Sequence, residues 1–189
     1  MNIGLAIFFL IGLFIYNVES ALPDCHIYRV AAYIDDGRAY GSIVFWRWIL
    51  DGPVTITVKI NFTDPTWFDT YRAFSIHENR FSWNLPNCKS EYIGGHLRRP
   101  GQKHGGYWTD QSHDGDLGNM YIDPCGRAYI QRDINWRKSF CGKYALADKC
   151  LVISPNIDNE QPGRCPGCFD DWGGENGNYY CVNTNRLEI

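Results

Sequence analysis

Residues 53–61 alternate without a break: Val54, Ile56, Val58 and Ile60 fall on one side, Thr55, Thr57, Lys59 and Asn61 on the other. A period of two suits a strand buried on one face, because successive side chains point to opposite faces of a sheet. Shorter β-like runs cover 27–34, 41–50, 71–77, 128–134 and 150–154. They are separated by turn formers such as Asp35-Asp36-Gly37, Asp51-Gly52-Pro53 and Asp123-Pro124-Cys125-Gly126. No stretch of useful length repeats at the helical period. The pattern predicts an all-β chain folded as an antiparallel sandwich or barrel. Two segments interrupt it: 79–119, rich in Gly, His, Pro and charge, and 156–178, rich in Gly, Asn, Asp and Cys. Loops this long usually carry a function or a staple, so the chain reads as one domain with two long loops.

The 189-residue length agrees with one domain, and a net charge of −3 without a charge run argues against a nucleic-acid binder working through a basic face. The first twenty residues change the picture more. From Ile3 to Tyr16 there is no charge. That run is shorter than the roughly 20 apolar residues of a membrane span and suits the apolar core of a secretory signal peptide. Val18 and Ser20 are small enough to precede a cleavage site, so 1–20 is read as signal peptide and 21–189 as a secreted domain without stable membrane association. Eight cysteines fit an oxidising compartment. Asn61-Phe62-Thr63 is a glycosylation sequon, which predicts a glycoprotein.

Four of the five histidines lie between 77 and 113. His96, His104, His113 and Asp116 follow one another at spacings of 8, 9 and 3. Three neutral imidazoles and a carboxylate are a full tetrahedral donor set for Zn²⁺, and the intervening glycines let the loop fold back on an ion.

The segment Gly95-His96, Lys103-His104-Gly105-Gly106 and His113-Asp114-Gly115-Asp116-Leu117-Gly118-Asn119 resembles the zinc loop of the copper,zinc superoxide dismutases. Ala73-Phe74-Ser75-Ile76-His77-Glu78 resembles the strand that carries two copper ligands, and Leu151-Val152-Ile153-Ser154 the strand with the last one. The resemblance covers nearly all of 21–189. It implies an eight-stranded Greek-key barrel or sandwich, zinc ligands at His96, His104, His113 and Asp116, and a supporting carboxylate at Asp158. It also implies a disulfide between Cys88 and Cys181. Cys25, Cys125, Cys141, Cys150, Cys165 and Cys168 remain without an assigned pairing. Cys165-Pro166-Gly167-Cys168 has redox-motif spacing but no thioredoxin-like pattern around it, and is read as structural.

The carry-over fails at the copper site. The four copper histidines of the family fall on Ser75, His77, His96 and Ser154, and its active-site arginine on Asn178. Hydroxyls are poor copper ligands beside imidazole, and Zn²⁺ has no redox chemistry to replace it. The expectation is therefore a secreted superoxide dismutase-like pseudoenzyme with one zinc and no copper. It would act as an extracellular metal-binding or small-ligand carrier, or as a self-assembling homo-oligomer. The competing readings are a matrix protein cross-linked by disulfides and an active dismutase with an atypical copper site. Arg98, Arg99 and Lys103 read as a solvated stretch of loop. Trp46 and Trp48 would mark an assembly surface if exposed.

Overall fold

The computed structural model describes residues 27–49, 52–82, 88, 90–110, 112–134, 138–158, 160 and 180–187. The signal segment 1–20, Cys25, His26, Cys165, Cys168, Asn178 and most of the second long loop lie outside them. The regular structure of the described chain is nearly all strand: β1 (Arg29–Asp35), β2 (Ala39–Trp46), β3 (Val54–Phe62), β4 (Thr70–His77), β5 (Asp116–Ile122), β6 (Arg127–Ile134), β7 (Cys150–Ile153), β8 (Tyr180–Asn183) and β9 (Asn185–Arg186). A 3-10 turn at Pro65–Trp67 and the single-turn helix α1 (Ser90–Ile93) are the helical elements among the described residues.

The strands form two antiparallel sheets, one ordered β6-β3-β2-β1-β9 and the other β5-β4-β7-β8. β3 hands the chain to β4 and β5 in the second sheet, and β6 returns to pair with β3, the long-return connection of a Greek key. The sheets pack as a sandwich and do not close into a barrel. Among the described residues the eight expected strands are joined by a two-residue ninth, β9, at the edge of the first sheet.

The period-two reading of β3 holds: Val54, Ile56, Val58 and Ile60 are at most 1% exposed. They pack with Ile43 and Phe45 of β2 against Phe74 and Ile76 of β4, Leu117 of β5, and Leu151 and Ile153 of β7. β2 ends at Trp46 rather than residue 50, because the chain turns there and Gly52 N–H donates to the Ile49 carbonyl at 3.0 Å. β5 was expected to be loop up to residue 119, yet it begins at Asp116. Its alternation is hidden by Gly118, at φ +76°, and by a register shift opposite Ala73 and Ser75.

β4 positions the site because both its faces are covered. Phe74 and Ile76 enter the sandwich, while Ala73, Ser75 and His77 are buried on the opposite face. That outer face holds a second apolar cluster of Ala73, Ile93, Cys150 and Val152. Cys88 and Cys181 are bonded beside it, with Cα atoms 5.9 Å apart, tying the segment before the histidine loop to β8. Cys141 is also disulfide-bonded. Of the cysteines left without an assigned pairing, Cys125 is a free exposed thiol and Cys150 a free buried one, whose burial pushes its pKa up to about 12.

Candidate metal centre

The histidine loop is stitched onto β4 by its backbone. Leu97 N–H donates to the Ile76 carbonyl at 2.8 Å, Ile76 N–H to Gly115 at 2.9 Å, and Gly115 N–H to Leu97 at 2.7 Å. Gly115 has no room for a side chain, since a Cβ there would stand 2.1 Å from the Ile76 oxygen. This close approach places His96 against His77 and brings the two ends of the loop together.

The predicted ligands converge. His96, His104, His113 and Asp116 are all buried, and one ligating atom from each lies within 4.8 Å of all the others. Asp116 organises them. Its Oδ2 accepts the Gly105 N–H at 3.0 Å and the His113 N–H at 2.9 Å. Its Oδ1 thereby faces the three imidazoles, with Nδ1 of His96 at 2.7 Å, of His104 at 3.2 Å and of His113 at 3.4 Å. Burial opposes ionisation of Asp116, but the bonds from His104, His113 and His96 outweigh it and hold its pKa well below the usual carboxylate range.

Asp158 supports the cluster from outside. Its Oδ1 lies 2.7 Å from His104 Nε2. Its backbone is fixed by Asn119 of β5: Asp158 N–H donates to Asn119 Oδ1 at 2.7 Å, and Asn119 Nδ2 donates to the Asp158 carbonyl at 2.8 Å. Burial alone would lower the basicity of His104; hydrogen bonds to Asp116 and Asp158 reverse that and raise its pKa to about 10.

Lys138 was invisible in the sequence reading. It is fully enclosed, and its ammonium donates to the carbonyls of His113 at 3.2 Å, Asp114 at 2.6 Å and Asp116 at 3.1 Å. Burial lowers its pKa to about 8, with Asp116 and Asp114 opposing. No motif signals such a residue, because its partners are backbone carbonyls 22–25 residues away.

The other half of the site is different in kind. His77 Nδ1 lies 2.8 Å from the Gly94 carbonyl, which can only accept, so Nδ1 carries the proton. Nε2 then accepts from the Ser75 hydroxyl at 3.2 Å. Burial drives the His77 pKa down to about 3, helped by His96 and opposed by the Gly94 bond, so the ring is neutral. Ser154 is buried, and its Oγ accepts the Asn156 N–H at 3.1 Å.

The copper/zinc superoxide dismutase family model matches residues 39–178. The chain belongs to this family. Among similar proteins are the superoxide dismutases [Cu-Zn] of Candida albicans, 30% identical over 135 residues (71% of this chain and 82% of that one), and of Podospora anserina, 33% identical over 130 residues (69% and 79%). The crystal structure of the clock protein EA4 superposes with a TM-score of 0.68 over 85% of this chain and 96% of that one, at 21% identity. That likeness bears on the superoxide dismutase-like fold alone.

The donor set fits the metal that the family implies. Three imidazole nitrogens and one carboxylate oxygen, buried and converging, are what a closed four-coordinate zinc site requires. An outer carboxylate on His104 is the usual second partner of a ligating imidazole.

Proposed function

We propose that this superoxide dismutase-like chain has kept the zinc half of the family's metal site and given up the redox half. It would be a secreted, non-enzymatic metal-binding protein. The observation that carries this reading is the hydrogen bond from Ser75 to His77 Nε2. At the copper ligand positions implied by the family resemblance, one hydroxyl satisfies the imidazole nitrogen of its neighbour, and a second, Ser154, caps its own turn. Two of four imidazoles are gone, and a copper ion that cycles between oxidation states has too few soft ligands to hold it.

Zinc at His96, His104, His113 and Asp116 would supply a fixed double positive charge and a cross-link, and no electron transfer. The protein's own residues do the rest. Asp116 orients toward the imidazoles, Asp158 holds His104, and Lys138 fixes the loop carbonyls behind them.

The signal-like segment 1–20 and the surface support a role in extracellular carriage or assembly. Trp48 is 83% exposed and Ile49 66%, beside Trp46. A solvent-facing apolar edge of this kind favours a homo-oligomer. Asn61 stands on the outward face of β3, half-buried, where a glycan would project from the five-stranded sheet. The disulfide-linked matrix reading finds support in the exposed thiol of Cys125; a covalent ladder on a non-reducing gel would favour it over a carrier.

The deciding experiment is metal content by mass spectrometry after the purified protein meets equimolar Cu²⁺ and Zn²⁺ and is then dialysed. One zinc per chain, negligible copper and no superoxide removal are expected. A tightly held copper with rapid superoxide removal would overturn the proposal.

A further inference from the structure

The chain carries a net charge of −3, yet one cleft of about 630 Å³ is walled by four cations. Arg98 and Arg99 come from the histidine loop; Lys143 and Lys149 come from the segment leading into β7. Glu78 is the one carboxylate in the lining.

Arg98 and Arg99 precede a tight turn at Pro100-Gly101, closed by Gln102 N–H donating to the Arg99 carbonyl at 3.2 Å, with Gly101 at φ +84°. Arg99 is aimed by Asp114, which holds its Nε at 2.8 Å, and its side chain remains 38% exposed. Arg98 is 46% exposed and 3.9 Å from Glu78.

The lysines in the lining have different partners. Lys149 Nζ donates to the Glu78 backbone carbonyl at 2.7 Å, a neutral acceptor that positions the ammonium without cancelling its charge. Lys143 Nζ lies 5.4 Å from the centre of the Tyr144 ring, and the Arg99 guanidinium 5.8 Å from the same ring. Among the described residues no carboxylate comes within 4 Å of Lys143 or Lys149.

Cations gathered in one concavity raise the local concentration of anions and bind oxyanions through charge-assisted hydrogen bonds. The volume is that of a small-molecule site rather than of a single ion. The cations also fall into two groups by their contacts: Arg99 and Lys143 share the Tyr144 ring, and Arg98 and Lys149 both meet Glu78.

We propose that this cleft binds a small anion carrying at least two phosphate or sulfate groups, one held by Arg99 and Lys143 and the other by Arg98 and Lys149. The metal ligands do not line the cleft, so this site stands apart from the zinc reading.

Isothermal titration of the zinc-loaded full chain at low salt tests it. Fructose 1,6-bisphosphate serves as the phosphate source, a disulfated disaccharide as the sulfate source, and inorganic sulfate as the single-group control. Saturable one-to-one binding of at least one bis-anion is expected, roughly tenfold or more tighter than sulfate; the tighter of the two identifies the source. Arg98→Gln and Lys143→Gln, both at exposed positions, should each weaken binding roughly tenfold, with unchanged melting temperature and zinc content. Lys59→Gln on the other sheet should change it by less than about twofold. Failure of both bis-anions to saturate would overturn the proposal. So would binding that Lys59→Gln weakens as much as the cleft variants, or that neither cleft variant weakens.

Discussion

Replacing Asp158 with Ala isolates the support that the outer carboxylate gives to the metal centre. The side chain is 2% exposed and holds His104 Nε2 at 2.7 Å, while its Oδ1 also accepts the Glu160 N–H at 2.8 Å. The backbone of residue 158 would stay in place through its two bonds to Asn119. The variant should therefore keep its fold and all four ligands but lose the group that orients one of them. Loss of such a partner typically weakens metal affinity about 10–100-fold, equivalent to about 1.4–2.8 kcal/mol. At saturating zinc the same amount leaves the zinc-dependent stabilisation, which for a chain of this size lowers the melting temperature by about 3–11 °C. Competition against a chromophoric chelator gives the affinity. The difference in melting temperature with zinc and with EDTA gives the stability. Because Asp158 also supports His104 without metal, the zinc-dependent difference is the quantity to compare. If Asp158→Ala binds zinc within about threefold of the parent, then His104 is oriented by something else and the centre is built differently.

Lys138→Met should leave three loop carbonyls without their donor. It should destabilise even the EDTA-treated protein by about 2–4 kcal/mol in denaturant unfolding; an unchanged midpoint would mean that water replaces the ammonium. Gly115→Ala should push the loop off β4, costing about 1–3 kcal/mol or more and abolishing stoichiometric zinc binding, both measurable by melting and by metal analysis. The paired substitution Ser75→His and Ser154→His should raise copper retained after dialysis from negligible to near one per chain, measured by mass spectrometry. If copper stays absent, the two serines are not what excludes it.

Two kinds of information separate here. The alternation from Val54 to Ile60 determined a strand with one apolar face, because side-chain direction along a strand depends on nothing beyond the period. The donor types and spacings of His96, His104, His113 and Asp116 likewise marked a metal loop, since ligand chemistry resides in the side chains themselves. β5 escaped because Gly118 and a register shift broke its pattern, and both answer to pairing with β4. The two residues of β9, added beside the eight expected strands, are a strand only through pairing with Val30 and Ala31.

The tertiary structure alone decided what meets what. Asp116 faces its three imidazoles because two backbone amides from separate turns occupy its other oxygen. Lys138 reaches carbonyls that no spacing rule connects to it. The scattered bases of the histidine loop read as solvated charge until the return toward β7 brought Lys143 and Lys149 into one cleft with Arg98 and Arg99. Strand period and ligand chemistry are local properties of a chain. Convergence is set by strand pairing and loop closure between distant segments, so it emerges only once the two sheets have packed.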